Sequence, residues 1–318
     1  MYACLDLGSN SFHLLVARWN EGQVDIVERF SEKVQLGEGV ADSGKISDAA
    51  FERGLVCLRN FKQAVDRYPI QRYWALGTNA LRVAANAGEF IEAAASIGFR
   101  ISIISGIQEA TLVYAGVVSS LPPSNADRLV IDIGGGSTEI IIGNGRKQYL
   151  TESLPVGCVS WRDRWFSQMV SDEGVLAESL NEAVTVAATV FQSIKSQIDR
   201  YPFTEVYASS GTAKMLTAIC LENGFGNKGI HFSDLMLLRP QILSVIATDL
   251  PLPGLKDDRR DLVLSGWAVL VALMQTYAIN TISFSPTALR EGMLDFMVHH
   301  ADRDGDYTDF LPGAAIPA

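Results

Sequence analysis

A strand–turn–strand pattern occurs twice in this chain of 318 residues, and the repeat restricts the folds open to it. Residues 2–17 and 129–142 each consist of two apolar segments on either side of a turn that begins Asp-x-Gly. Apolar segments bounded by small turn residues are typical of β-strands. The two aspartates, Asp6 and Asp132, are 126 residues apart, which is a domain-sized interval. The repeat therefore predicts two related domains, each beginning with a β-hairpin.

Both turns consist of small residues that leave the backbone accessible. Three consecutive glycines destabilise a strand unless a ligand or another chain segment needs the space. Successive N–H groups in such a turn can hold an anion, and hydroxyl groups add further donors. The turns therefore predict two phosphate-binding loops, with an ordinary glycine-rich hairpin as the alternative. The residues concerned are Gly8, Ser9, Asn10 and Ser11 in the first turn, and Gly134, Gly135, Gly136, Ser137 and Thr138 in the second.

Acidic residues adjoin both turns. Asp132 and Glu139 bracket the second turn, where carboxylates would hold a divalent cation beside a bound phosphate. Asp6 begins the first turn, and capping of the turns is the alternative role of all three acids. A third loop, made of Ser210, Gly211 and Thr212, lies between a predicted strand and a predicted helix. Its N–H groups would face a phosphate or a ribose.

Two helix starts and one charged run are visible in the sequence. Ser105, with Gln108 three residues later, predicts a capping box that places Glu109 in the first helical turn. Asn86, with Glu89 three residues later, predicts a second N-cap. The charged residues 257–261 predict a solvated helix start.

Charge and hydropathy exclude several classes of protein. The 26 basic and 36 acidic residues give a net charge of −10, which argues against nucleic-acid binding. No apolar run approaches the roughly 20 residues of a membrane span, so we expect no membrane association. The four cysteines lack metal-ligand spacing, which predicts reduced thiols and a cytoplasmic protein.

The domain boundaries are predicted from a proline-containing linker near Leu121. Residues 1–122 form the first predicted domain and residues 123–302 the second. The last helix, at about 287–299, is placed in the second domain but is able to pack back on the first. The remaining tail, residues 303–318, is expected to be loose.

Several separated motifs, taken together, resemble one known family. They are Asp6 to His13, Gly77-Thr78 with Arg82, Ser105-Gly106 with Glu109, Asp132 to Glu139, Gly157-Cys158-Val159, Ser210-Gly211-Thr212, and Ala288 to Gly292. In this order they resemble the exopolyphosphatase / guanosine-pentaphosphate phosphatase (Ppx/GppA) family, in its short two-domain form. That family belongs to the actin-like ATPase-domain superfamily. The resemblance implies an α/β fold of two actin-like (ribonuclease H-like) domains, with mixed sheets flanked by helices and an active site in the interdomain cleft.

The resemblance also implies an activity. It implies a hydrolase that removes terminal orthophosphate from inorganic polyphosphate or guanosine pentaphosphate by metal-assisted attack of water. The motifs do not separate the two substrates. Mg²⁺ or another divalent cation is the implied cofactor, and a homodimer is compatible with the family.

The family match assigns roles to individual residues. Glu109 would be the general base, with stabilisation of a helix N-terminus as the alternative role. Asp132 and Glu139 would be catalytic carboxylates beside the metal or the attacking water and, with Asp6, metal ligands. Arg82 would bind phosphate, with a surface salt bridge as the alternative. Two other functions stay open, an actin-like nucleotide-dependent kinase or ATPase and a non-catalytic sensor of polyphosphate or an alarmone.

Overall fold

The chain folds into two compact α/β units. The structure is a computed structural model that describes residues 1–20, 23–167, 171–225, 229–300 and 305–312. Unit 1 contains Met1–Ser120 and the described residues from Thr287 onward, whereas unit 2 contains Leu121–Pro286. Unit 1 is therefore assembled from two separate parts of the sequence.

Unit 1 is built on a five-stranded mixed sheet with the order β3-β2-β1-β4-β5. The first three strands form an antiparallel meander, and β4 and β5 continue the sheet in parallel with β1. The strands are β1 (Tyr2–Leu7), β2 (Ser11–Asn20), β3 (Gln23–Lys33), β4 (Arg72–Gly77) and β5 (Ile101–Ile103).

Helices cover the sheet of unit 1. The apolar core contains Leu5 and Leu14 from the sheet and Leu58 and Phe90 from the helices, all fully buried. The Ser47 hydroxyl accepts a hydrogen bond from the N–H of Ala50 and so begins the second helix. The helices are α1 (Val40–Ser43), α2 (Asp48–Val65), α3 (Asn79–Val83), α4 (Ala87–Ile97), α5 (Gly106–Ser119) and α12 (Leu289–His299), with a 3₁₀ helix at Tyr307–Phe310.

The last helix of the chain, α12, packs closely on α5 within unit 1. Two glycines make this approach possible. A Cβ atom added to Gly116 would lie 1.9 Å from the carbonyl oxygen of Ala288, and one added to Gly292 would lie 1.8 Å from that of Leu112. These distances leave no room for any side chain at the contact between the helices.

The expectation of a loose C-terminal tail is wrong for residues 305–312, which dock on unit 1. The Tyr307 side chain is buried and its hydroxyl accepts a hydrogen bond from Arg72. The Trp74 indole donates to the Thr308 hydroxyl, and the Ser102 hydroxyl donates to Asp306. The partners lie more than 200 residues away in sequence, so a local pattern does not show them. The other residues of the predicted tail, 303–304 and 313–318, lie outside the described part of the chain.

Unit 2 repeats the sheet of unit 1 and adds one strand. Its order is β10-β11-β9-β6-β7-β8. Strands β6, β7 and β8 form an antiparallel meander, and β9 and β11 continue in parallel with β6. This order matches that of unit 1 strand by strand and confirms the repeat seen in the sequence. The strands are β6 (Arg128–Ile133), β7 (Thr138–Asn144), β8 (Lys147–Leu154), β9 (Glu205–Ser209), β10 (Ile230–His231) and β11 (Thr281–Phe284).

The core of unit 2 lies between its sheet and a nearly all-apolar helix, α11. Ile131 and Ile140 of the sheet and Trp267 and Leu270 of α11 are buried in one cluster. Among the residues that the structure describes, no helix is both long enough and apolar enough to cross a membrane. The helices are α6 (Cys158–Trp165), α7 (Glu173–Gln192), α8 (Lys195–Ile198), α9 (Ser210–Glu222), α10 (Phe232–Thr248) and α11 (Val263–Thr276), with a 3₁₀ helix at Asp257–Leu262.

The helix-start predictions had mixed outcomes. The capping box is confirmed, since Ser105 and Gln108 exchange both expected hydrogen bonds. Asn86 occupies the N-cap position of α4, as predicted, but its side chain makes no capping hydrogen bond. Its side-chain amide instead accepts from the N–H of Ile46 and donates to the carbonyl of Ile46, which joins two chain segments.

Candidate active site

In each unit, the predicted site residues follow the carboxyl ends of parallel strands. In unit 1 the first phosphate loop follows β1, α3 with Arg82 follows β4, and α5 with Glu109 follows β5. In unit 2 the second loop follows β6, and the third loop follows β9. This edge of an α/β sheet is where ligands bind in such folds.

The first loop of unit 1 is held by the chain segment 34–37. The carbonyl of Ser9 accepts a hydrogen bond from the N–H of Gly37 at 2.8 Å, and the carbonyl of Asn10 accepts from Gln35 at 2.8 Å. A trans peptide places its N–H opposite its carbonyl. The N–H of Asn10 therefore points away from Gly37.

Two polar side-chain atoms in the first loop have no hydrogen-bond partner among the described residues. They are Oγ of Ser9 and Oδ1 of Asn10, and both residues are more than nine-tenths buried. A buried polar group without a partner costs about 1–3 kcal/mol. The loop is therefore suited to a polar ligand.

Arg82 and Glu109 lie together in unit 1. Nη1 of Arg82 donates to Oε2 of Glu109 at 3.3 Å and to the carbonyl of Ile104 at 2.7 Å. The Glu109 carboxylate lies in the first turn of α5, directly after the capping box, and is largely buried. The contact holds Glu109, the predicted general base, in position. It is an ion pair, and a salt bridge was the alternative to phosphate binding that we predicted for Arg82.

The second loop, Gly134–Ser137, is held by the N-terminus of α6. The N–H of Cys158 donates to the carbonyl of Gly134 at 2.9 Å, and the N–H of Val159 donates to that of Gly135 at 2.8 Å. The N–H groups that follow these carbonyls in the chain belong to Gly135 and Gly136. Because each peptide is trans, these two N–H groups point away from α6 and are oriented to bind an anion.

Gly157 allows α6 to approach the second loop. A Cβ atom added to it would lie 2.4 Å from the backbone of Gly135 and Gly136. Any other residue at this position would displace the loop, so Gly157 controls where the donor groups lie. The sequence identified Gly157 only through the family motif.

A row of four polar side chains crosses the sheet of unit 2 next to the second loop. Asp132 lies opposite Glu139 in the β6–β7 pair. Ser209 lies beside Asp132 in β9, and Ser153 lies opposite Glu139 in β8. The Ser209 hydroxyl donates to Oδ2 of Asp132 at 2.5 Å, and the Ser153 hydroxyl donates to Oε1 of Glu139 at 2.8 Å. Two carboxylates thus lie side by side, each bound by a hydroxyl.

Two threonine hydroxyls predicted to bind phosphate are bonded to the backbone. Thr138 is fully buried and its hydroxyl donates to the carbonyl of Val156 at 2.6 Å. Thr212 donates to the carbonyl of Ile133 at 3.1 Å and so holds the end of β6 before the second loop. These contacts favour a structural role for both hydroxyls.

The third loop carries an unusual backbone conformation. Ser210 has a φ of +87°, a region that residues with a side chain rarely adopt. Its hydroxyl accepts hydrogen bonds from the N–H groups of Thr212 and Ala213. The hydroxyl of Ser210, the first residue of α9, therefore provides an acceptor for two N–H groups of the first helical turn.

The sequence missed two arginines near these loops. A Cβ atom on Gly211 would lie 2.8 Å from Nη1 of Arg259, so this guanidinium rests directly on the third loop. Arg162 of α6 bonds Asp163 and Asp261, each at 2.6 Å. The prediction of a solvated helix start at 257–261 is confirmed for Asp257 and Asp258, which are exposed at the start of a 3₁₀ helix. It is wrong for Asp261, which binds a buried arginine, and for Arg259, which contacts a loop.

The four cysteines are free and buried. Burial raises the pKa of Cys158, although a hydrogen bond with Thr212 and the charges of Arg259 and Arg162 oppose the increase. Burial also raises the pKa of Cys220, to about 12. These thiols are protonated at neutral pH and are not nucleophiles.

A sequence model of the Ppx/GppA phosphatase family matches residues 15–301, most of the chain. The chain belongs to the Ppx/GppA phosphatase family. Membership gives it the general class of a phosphatase, and it confirms the resemblance drawn from the motifs.

Solved structures of Ppx/GppA proteins share the fold of this chain. An exopolyphosphatase from Cytophaga hutchinsonii aligns with a TM-score of 0.83 at 24% identity, over 94% of this chain and 97% of that one. A family member from Aquifex aeolicus aligns with a TM-score of 0.74 at 24% identity, over 95% and 99%. An exopolyphosphatase-like protein aligns with a TM-score of 0.80 at 25% identity, over 94% and 99%. The predicted architecture of two actin-like domains with mixed sheets is confirmed.

The predicted site residues fall into two groups, one in each unit. In unit 1, Arg82 contacts Glu109. A Cβ atom added to Gly8 would lie 3.8 Å from Oδ1 of Asp6. Unit 2 brings the acidic pair, the second loop and the third loop together. Among the described residues, no group of three or more His, Cys, Asp and Glu side chains is arranged to hold a metal ion.

Proposed function

We propose that this protein is a hydrolase that releases terminal orthophosphate from inorganic polyphosphate or from guanosine pentaphosphate. The observation that carries the proposal is the second loop. Its carbonyls are bound by α6 and its N–H groups point away, beside two carboxylates. The exopolyphosphatase from Cytophaga hutchinsonii, which shares the fold, gives further support.

The residues of both loops would bind phosphate groups of the substrate. In unit 2 these are the N–H groups of Gly135 and Gly136 and the Ser137 hydroxyl. In unit 1 they are the N–H of Asn10 and the unpartnered side chains of Ser9 and Asn10. Phosphoryl transfer depends on positioning and charge neutralisation, which these groups supply.

Glu109 would activate the attacking water. The carboxylate takes a proton from water as the water oxygen forms a bond to the terminal phosphorus. The bridging P–O bond breaks, and its electron pair leaves with the shortened phosphate chain. Arg82 would hold Glu109 in place, and its remaining N–H donors would bind substrate oxygens, since a guanidinium carries five.

The acidic pair in unit 2 fits a divalent cation. Mg²⁺ is commonly held by one or two carboxylates together with substrate phosphates. Asp132 and Glu139 supply two such oxygen ligands on neighbouring strands. When bound, the cation would neutralise charge on the phosphate oxygens.

The test is release of orthophosphate by the purified chain from polyphosphate and from guanosine pentaphosphate, with Mg²⁺ and with EDTA. We expect Mg²⁺-dependent release from at least one substrate. Glu109→Gln should retain substrate binding and lose at least about 100-fold in kcat, the range of general base catalysis. Activity of Glu109→Gln near that of the wild type would reject the assigned base.

Two other outcomes would replace the proposal. Transfer of labelled phosphate from ATP to an acceptor would identify an actin-like kinase, for which the third loop would be a nucleotide contact. Tight binding of either substrate without turnover would identify a sensor. We also propose a cytoplasmic location, because four free thiols persist where the environment is reducing.

A further inference from the structure

The sheet of unit 2 places two carboxylates, those of Asp132 and Glu139, next to each other. Asp132 and Glu139 are directly opposite in register on adjacent antiparallel strands, so their side chains share one face. Like charges in this arrangement repel each other and destabilise the strand pair. Glu139 is also 1% exposed, so water does little to offset the repulsion.

The neighbouring strands supply one hydroxyl to each carboxylate. Ser209 in β9 is fully buried and donates to Oδ2 of Asp132. Ser153 in β8 donates to Oε1 of Glu139. Each hydroxyl approaches from the side away from the other carboxylate, because β9 and β8 lie on the outer sides of the β6–β7 pair.

The equivalent row of unit 1 lacks this arrangement. There Asp6 of β1 lies opposite His13 of β2, which in turn lies opposite Ser31 of β3. On the other side, Asp6 is beside Leu76 of β4. The strand order is the same in both units, so the serine-flanked pair of carboxylates is not a consequence of the fold alone.

We propose that Ser153 and Ser209 are positioning residues for the cation-binding carboxylates of unit 2. Each hydroxyl engages one carboxylate oxygen and thereby restrains the rotation of the group that binds the cation. The inference rests on the proposed function, because it takes Asp132 and Glu139 as cation ligands. Groups that orient a metal ligand by hydrogen bonding commonly change metal affinity by about 10–100-fold when removed.

The test measures Mn²⁺ binding directly by electron paramagnetic resonance, and the kinetics of phosphate release separately. Ser153→Ala should weaken Mn²⁺ binding by about 10-fold and lower kcat, with little change in the KM for polyphosphate. Ser153→Thr, which keeps the hydroxyl, should restore most of the affinity. Asp132→Asn shows whether the measured Mn²⁺ is bound at this pair.

A matched control lies on the same strand. Thr151 is two residues from Ser153, shares its face of β8, and its hydroxyl bonds Gln148 rather than a carboxylate. Thr151→Val should leave Mn²⁺ affinity unchanged. Because Ser209 is fully buried and Ser209→Ala is more prone to misfold, Ser153→Ala is the deciding variant.

The outcomes separate this inference from the proposed function. Wild-type turnover together with unchanged Mn²⁺ affinity in Ser153→Ala would overturn the positioning role alone, even if the melting temperature falls. Absence of both phosphate release and Mn²⁺ binding in the wild type would overturn both. Weakened Mn²⁺ binding that Ser153→Thr restores would support the inference.

Discussion

Among single residues, Arg128 shows how a buried charge depends on its partner. Its side chain is 4% exposed, and Nε donates to Oε2 of Glu205 at 2.8 Å. A second nitrogen donates to the carbonyl of Pro122, at the linker into unit 2. The hydrogen bond from Arg128 lowers the pKa of Glu205 below its ordinary value of 4.5, against a smaller opposing effect of burial.

Glu205→Gln should destabilise the protein by about 1 kcal/mol at pH 7, since the pair is partly screened by solvent. A carboxylate whose pKa is lowered on folding stabilises the protein above its unfolded pKa, and this contribution is lost as pH falls through the folded pKa. The difference between variant and wild type should therefore shrink as the pH drops below about 4.5.

Urea unfolding midpoints at pH 7 and pH 3 would measure this difference. Glu222→Gln, at an exposed position in α9, serves as the control and should leave the midpoint unchanged. A difference that persists undiminished at pH 3 would contradict the assignment.

Individual residues could be predicted from the sequence when their partners are close in the chain. The two residues of the Ser105–Gln108 box are three positions apart, and the box was predicted correctly. Asn86 has the same local signature and occupies the predicted N-cap position, but its side chain bonds Ile46, 40 residues away, and does not cap the helix. Arg259 was missed because its contact with Gly211 joins distant segments of unit 2.

At the scale of secondary-structure elements, backbone hydrogen bonds join the second loop to α6. Three N–H groups at the start of α6 bind two loop carbonyls, and Thr212 of α9 holds the preceding end of β6. The glycine-rich turn was predictable because three consecutive glycines are informative by themselves. The support of the loop by α6 was not predictable, because no local pattern in residues 157–165 indicates which carbonyls the N-terminus of the helix would bind.

Gly157→Ala should disturb the second loop more than it disturbs the fold. The added Cβ would meet the loop backbone at 2.4 Å, so the loop must shift by a substantial part of an ångström. A misplacement of about 1 Å can cost roughly 100-fold in rate. We expect a loss of about that size in kcat/KM for phosphate release, measured beside circular dichroism at 222 nm. Wild-type kinetics in the folded variant would contradict the role of Gly157.

At the scale of the whole molecule, the chain leaves unit 1, builds unit 2, and then returns to unit 1 with α12. The sequence assigned α12 to the second domain while leaving it able to pack on the first. Its partner α5 lies some 170 residues earlier, and only the glycines at the contact, Gly116 and Gly292, hint at a close approach. The repeat of the two sheets was predictable because each copy carries its own local pattern.

Gly292→Ala should destabilise unit 1 by about 3 kcal/mol, since overpacking at a rigid backbone contact reaches that size. The added Cβ would lie 1.8 Å from the carbonyl oxygen of Leu112. Gly88→Ala in α4 is the matched control, because an added Cβ there meets no atom within 4 Å. Differential scanning calorimetry should show a lowered transition for Gly292→Ala only. Equal melting temperatures for the two variants would contradict the close packing of α12 on α5.

The bracing of the second loop by α6 has a consequence for how this protein could diversify. The donors of Gly135 and Gly136 are peptide N–H groups, which every amino acid except proline carries, so exchanging side chains elsewhere in the loop does not delete them. Mutations can therefore change the residues around these donors while the ability of the loop to bind an anion is retained. Proteins that descend from this sequence would change their ligand specificity long before they lost affinity for the anionic end of the ligand.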